Sequence, residues 1–209
     1  MTGRIIETDT DVAEGAAWLA SREPRFAVAL EACGPLPLRR REDGFRALLS
    51  AISSQQLSVA SANAIWARME AAGYCEADAL RAASDDELRA CGFSRPKITY
   101  ARALADAALD YKALRSAPTA EVIETLVAIR GIGLWTAEIY AMFSLGRADV
   151  FAAGDLALQE AARMLFDLPE RPKERALREM AENWAPWRAV AARLLWAYYR
   201  IEKQREGVT

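Results

Sequence analysis

Apolar residues recur three or four positions apart along most of this 209-residue chain, and strict alternation is not sustained anywhere. A period near 3.6 puts such residues on one face of an α-helix, whereas a half-buried strand needs a period of two. Phe45, Leu48, Leu49 and Ile52 form one stripe, Ala62, Ile65, Trp66 and Met69 a second, and Val190, Leu194, Leu195, Tyr198 and Ile201 a third. Alanine and leucine, both strong helix formers, dominate, and β-branched residues are scattered. The expected fold class is all-α.

The breaks between helices carry recognisable punctuation. Gly34-Pro35-Leu36-Pro37 ends an N-terminal helical segment, and Gly73 is placed to cap a helix that starts near Ser58. Ser84 stands three residues before Glu87, the spacing of a capping box. Pro96, in Cys91-Gly92-Phe93-Ser94-Arg95-Pro96, suits the first turn of a helix. Ser116-Ala117-Pro118-Thr119 is a further break, Gly131-Ile132-Gly133 is a tight turn between two apolar helices, and Gly154-Asp155 opens a helix through Leu156, Ala157, Leu158 and Met164.

Composition narrows the chemistry. Histidine is absent, which excludes serine–histidine–aspartate triads, histidine zinc sites and imidazole bases. Acid–base work falls to Asp, Glu, Lys, Tyr or Cys. The net charge of −2 lacks the basic excess that usually marks nucleic-acid binding. Cys33, Cys75 and Cys91 match no metal-ligand spacing and read as buried thiols of a reducing compartment. The residues from Met1 to Asp9 do not form a signal peptide, and no apolar run reaches the roughly 20 residues of a membrane span. A cytoplasmic protein with no membrane partner is expected. The length suits one domain, or two small ones sharing a cleft.

Four stretches stand out. In Leu126–Glu138, two glycines one residue apart permit unusual backbone angles and close approach of a bulky partner. The helix starting after Gly133 presents backbone N–H groups, which attract anions such as phosphate. Gly-x-Gly alone also fits an ordinary turn between helices. Asp155 precedes an apolar periodic run, the usual place of a helix N-cap, and a capping backbone can also hold a carboxylate at a cleft. Gln55 and Gln56 interrupt an apolar pattern, as a solvated pair in a helix–helix loop would. Trp184, Trp187, Trp196, Tyr198 and Tyr199 crowd the C-terminal segment, where an aromatic core helix is the plain reading.

Together these stretches resemble the helix-hairpin-helix DNA glycosylase superfamily, and within it the 3-methyladenine DNA glycosylase II (AlkA-like) branch. The family hairpin reads Leu-Pro-Gly-x-Gly-x-x-Thr-Ala; Gly131, Gly133, Thr136 and Ala137 match it, and Arg130 replaces the proline. Trp-x-Pro-Trp-Arg at 184–188 resembles a signature of the alkylation branch, Ser-Gln-Gln-Leu-Ser at 54–58 its DNA wedge, and Gly92-Phe93-Ser94-Arg95-Pro96-Lys97 its Gly-x-Ser-x-x-Lys turn. The resemblance runs from about Gly44 to Tyr199.

The resemblance implies a two-lobed all-α fold with the active site in the cleft. The central lobe would span 44–150, and a discontinuous lobe would take 1–43 and 151–209. It makes Asp155 the catalytic carboxylate. Trp135 stands where strand-cleaving members carry a Schiff-base lysine, which implies a monofunctional enzyme. Trp135 and Trp187 would line the base pocket, Trp187 facing the extruded base. A family pocket tyrosine is replaced by Ile139, with Tyr140 adjacent but turned about 100° away. Gln56 is the wedge candidate, with Gln55 and Leu57 as alternatives. Gly131, Gly133, Thr136 and Arg130, and at a second contact Ser94 and Lys97, would meet the DNA backbone; a solvated helix start remains the alternative for the last two. Val127, Ile129 and Ile132 would offer backbone carbonyls to a structural Na⁺ or K⁺. No other cofactor is implied: all three cysteines precede the hairpin, so an iron–sulfur cluster is excluded, and a short form without the N-terminal β-rich domain of longer bacterial relatives is expected.

The implied activity is excision of alkylated, cationic purines such as 3-methyladenine from double-stranded DNA, by a monomer of the bacterial nucleoid. Such bases already carry charge and leave readily, which fits a chain without histidine. The rivals are a helix-hairpin-helix module that binds DNA without catalysis, a glycosylase for other damaged bases, and a purely structural helical domain. A carboxylate and an indole facing one pocket would favour the enzyme, and a buried Trp187 the non-catalytic module.

Overall fold

The computed structural model describes residues 2–206. Within them the chain forms α1 (Asp9–Arg22), α2 (Pro24–Cys33), α3 (Phe45–Ser54), α4 (Val59–Ala71), α5 (Ala77–Ala82), α6 (Asp85–Ala90), α7 (Arg95–Asp106), α8 (Tyr111–Ser116), α9 (Thr119–Val127), α10 (Leu134–Phe143), α11 (Leu156–Leu165), α12 (Glu174–Ala181) and α13 (Arg188–Glu206). A 3₁₀ turn, Glu182–Trp184, lies between the last two. No strand forms among the described residues; Ile5 and Arg147 make an isolated antiparallel bridge. The all-α expectation holds.

Two compact units result, Arg41–Tyr140 and Thr2–Arg40 with the chain from Ala141 on. The sequence reading divided the chain at 44 and 150 instead. The segment after Ala141 belongs with the N-terminus because of backbone pairing. Ile6 N–H donates to the Gly146 carbonyl at 2.7 Å and Ala148 N–H to the Arg4 carbonyl at 3.0 Å. The Arg147 guanidinium donates to the Thr2 carbonyl at 3.0 Å. Such short extended pairing leaves no periodic signal in sequence.

In the first unit α3 packs on α4 and α7, and α5 and α6 on α7. Their shared core includes Leu48, Leu49, Ile52, Met69, Leu80, Leu88 and Leu104, all buried. Local chemistry stops and starts these helices as the sequence implied. Gly73, at φ 76°, ends α4; its N–H reaches the Glu70 carbonyl and Tyr74 N–H the Met69 carbonyl, both at 3.0 Å. That double bond pattern is a Schellman cap. Ser84 and Glu87 form the expected capping box at the start of α6. α7 begins at Arg95 with Pro96 in its first turn.

In the second unit α13 packs against α1, α2 and α11. Phe26, Phe151 and Phe166 surround Trp184, with ring centroids 5.3 to 5.9 Å from it. Arg193 on α13 is also buried, and its charge is met by carbonyls: Nε and Nη2 donate to Leu38 at 3.2 and 3.0 Å, and Nη1 to Ala189 at 2.8 Å. Burial, with the nearby Arg39 and Arg40 charges, lowers its pKa to about 10, so it stays charged at neutral pH.

Candidate active site

The glycine hairpin joins α9 to α10, and its two glycines do different things. Gly131 sits at φ 96°, and an added Cβ would lie 2.3 Å from Cγ of Tyr100 on α7. The fold therefore demands glycine there twice, by backbone angle and by close approach. Gly133 has an ordinary φ, and nothing lies within 4 Å of where its Cβ would be. The protein itself does not require this glycine, and the bare main chain opens toward solvent at the start of α10. Val127, Leu134 and Trp135 are 43%, 40% and 46% exposed around it, while Ile129, Ile132 and Thr136 are buried. Arg95 and Arg130 are exposed and form no ion pair among the described residues.

The Gln55-Gln56 segment is a tight turn. Leu57 N–H donates to the Ser54 carbonyl at 3.3 Å, Gln55 has φ −52° and ψ 131°, and Gln56 has φ 58°. These are the angles of a type II turn, whose third position favours glycine. A glutamine there costs about 1–2 kcal/mol of backbone strain. Its side chain is exposed, as is Leu57. Strain maintained to present one side chain points to use of that side chain. Gln56→Gly is expected to fold at least as stably as the wild type, by urea midpoint.

Gln55 departs from its expected role as an alternative wedge. Its Nε2 donates to the Gly131 carbonyl at 2.9 Å, so the side chain is committed to the hairpin. Lys97 Nζ donates to the Ser53 carbonyl at 2.5 Å, closing the end of α3, and partial burial lowers its pKa. Ser94 is exposed at the start of α7, where its hydroxyl makes no capping bond. Gln55, Gln56, Ser94, Lys97, Tyr100 and the turn at Gly131–Gly133 line one groove of about 540 Å³. The structure thus brings together three segments the sequence singled out: the Gln55-Gln56 turn, the Ser94–Lys97 turn and the hairpin.

The second unit holds the carboxylate. Asp155 caps α11, and its Oδ1 accepts from Ala157 N–H at 2.9 Å and Leu158 N–H at 3.0 Å. Trp196 Nε1 donates to the same oxygen at 3.2 Å. Both readings of Asp155, cap and fixed carboxylate, are therefore compatible in one geometry. Asp149, an acidic residue six positions earlier, is held in a two-bond ion pair with Arg188 at 2.6 and 2.9 Å.

Two expected pocket aromatics are placed elsewhere. Trp187 is only 3% exposed. A Cβ on Gly15 of α1 would come within 2.6 Å of its ring, and the Arg4 guanidinium lies 4.5 Å from its centroid. It is a core residue of the second unit. Tyr140 is buried, and its hydroxyl accepts from Gly44 N–H at 2.9 Å, closing the start of α3; burial raises its pKa to about 12. Ile139 is half-buried. The indole that meets Asp155 belongs to Trp196, which the sequence reading assigned to core packing. Trp187 stands just before α13 and is packed in the core, whereas Trp196 lies within α13 and reaches Asp155.

A family model for HhH-GPD superfamily base excision DNA repair proteins matches residues 49–186. The chain belongs to this superfamily. The HhH-GPD match takes in the Gln55-Gln56 turn, the hairpin and Asp155. DNA-3-methyladenine glycosylase 1 of Schizosaccharomyces pombe is 33% identical over 165 residues, 75% of this chain and 72% of that protein. The crystal structure of a DNA-3-methyladenine glycosidase from Bacillus halodurans superposes with a TM-score of 0.83 at 35% identity, over 96% of this chain and 94% of that one. The S. pombe 3-methyladenine DNA glycosylase in complex with abasic DNA matches with a TM-score of 0.77 at 31% identity, over 88% and 95% of the two chains.

Proposed function

We infer that this protein is a DNA glycosylase that hydrolyses the N-glycosidic bond of alkylated bases in base excision repair. The observation that carries the reading is the Asp155 carboxylate, fixed through Oδ1 by two backbone N–H groups and the Trp196 indole in a member of the HhH-GPD superfamily.

Cleavage of the bond to the base builds positive charge on the sugar. A carboxylate already oriented by three donors stabilises that charge without reorganising. It can also orient the attacking water or take its proton. The chain has no histidine to protonate a departing neutral purine. A base alkylated on a ring nitrogen is cationic and needs less help to leave, so cationic alkylpurines fit these residues best. DNA is gripped at the hairpin by backbone N–H groups at the start of α10, with Arg95 and Arg130 as cations. Val127, Ile129 and Ile132 fit a structural Na⁺ or K⁺ because carbonyls can replace the hydration shell of such an ion. Val127 ends α9, and the Ile129 carbonyl, though it accepts from Ile132 N–H at 3.0 Å, keeps a second lone pair. The ion would add positive charge at the phosphate contact. Affinity is modest and falls with salt, and one chain suffices.

Trp135 supplies no amine, so the enzyme is monofunctional. Wild-type protein incubated with dimethyl-sulfate-treated duplex DNA is expected to release methylpurines and leave abasic sites. Borohydride is expected to trap no protein–DNA adduct. A trapped adduct would refute the monofunctional assignment; no base release would favour the non-catalytic module. That module predicted a buried Trp187, as found, but it gives no reason for Asp155 and Trp196 to meet.

Gly133→Ala separates grip from fold. With open space at the Cβ, the variant is expected to melt like the wild type yet bind abasic-analogue duplex about tenfold more weakly, through crowding of the backbone contact. Fluorescence anisotropy at fixed salt checks this.

A further inference from the structure

We propose that Gln55 is a positioning residue that latches the wedge turn to the hairpin and so holds Gln56 presented beside it. The proposal rests on the glycosylase reading above. Gln55 occupies the second position of the type II turn, and its Nε2 crosses to the Gly131 carbonyl at 2.9 Å. The helix end that leads into the turn is pinned too, since Lys97 Nζ donates to the Ser53 carbonyl. Gln56, at φ 58°, follows directly after these two ties. A strained residue at an exposed tip persists only when its surroundings over-determine it.

The acceptor is equally fixed. Gly131 lies against Tyr100 so closely that a Cβ would sit 2.3 Å from the ring. Tyr100 and Lys97 are on the same helix, α7. The hairpin carbonyl, the α7 side chains and the wedge turn therefore form one closed set of contacts. Extruding a base costs a few kcal/mol in a paired duplex and less where the base is unpaired. A latch that holds the wedge in place should matter most where extrusion is costly.

The test uses Gln55→Met, which keeps length and removes the donor, and Gln55→Glu, which replaces it with a carboxylate that repels the carbonyl. Each variant is compared with wild type on two single-turnover substrates, one 7-methylguanine paired with cytosine and the same base in a one-nucleotide bulge. Loss of a hydrogen bond that sets the wedge predicts about a tenfold drop on the paired lesion. The bulged lesion should be cleaved within about twofold of wild type, because it needs little extrusion. A duplex with a tetrahydrofuran abasic analogue and an adjacent 2-aminopurine reads wedge insertion without catalysis; both variants should bind it but lose the fluorescence change. Equal losses on both substrates, or an unchanged fluorescence response, would overturn the latch. If the wild type releases no base at all, the glycosylase reading fails while the fluorescence response still decides the latch.

Discussion

Asp155→Asn is expected to slow base release from methylated duplex DNA on the order of 10²–10³-fold, the range seen when one preorganised electrostatic group is removed from an active site. Stability should change by less than about 0.5 kcal/mol, because asparagine caps helices about as well as aspartate. The amide oxygen can accept from Ala157, Leu158 and Trp196 as Oδ1 does now. What disappears is the negative charge, with the second carboxylate oxygen exchanged for an amide N–H₂ group. Asp155→Ala, by contrast, loses the cap as well and should cost about 1 kcal/mol of stability. Rate and urea midpoint measured on both variants separate the carboxylate's chemistry from its capping.

Gly131→Ala is expected to have the largest structural effect. Its φ of 96° is hostile to any residue with a Cβ, and that Cβ would fall 2.3 Å from Tyr100. Backbone strain of about 1–2 kcal/mol and overpacking of about 1–3 kcal/mol together predict a loss of about 2–5 kcal/mol. The displaced carbonyl would also release Gln55. The variant should therefore fail in stability, in duplex binding and in base release at once, whereas Gly133→Ala should fail only in the last two. Two glycines that look equivalent in Gly-Ile-Gly are separated by this pair.

Much of this was legible from the chain. The helices announce themselves by period, and their ends by Ser84, Gly73 and Pro96, because those signals are local. The hairpin is legible for the same reason: only glycine tolerates the turn. Asp155 is legible both as a cap and, through the resemblance, as a carboxylate. The interior of the second unit was harder to read. On α13 every residue from Ala189 to Leu195 is buried, so burial there is not confined to one face. Periodicity then could not tell Trp187 from Trp196, and the choice depended on the position of Asp155, 41 residues away. Gln55 likewise bonds to a carbonyl 76 residues distant, and no pattern within a loop reports that. Net charge misled as well: −2 for the whole chain does not describe a groove lined by Lys97 and the turn at Gly131–Gly133.

The central claim is that the Asp155 carboxylate drives hydrolysis of the bond between sugar and alkylated base. Its most direct test is the single-turnover rate of methylpurine release from duplex DNA by wild type and Asp155→Asn, each at saturating protein. The account predicts release by the wild type and a rate lower by on the order of 10²–10³-fold in the variant, with unchanged affinity for abasic-analogue DNA. Equal rates, or a loss matched by an equal loss of DNA affinity, would contradict it.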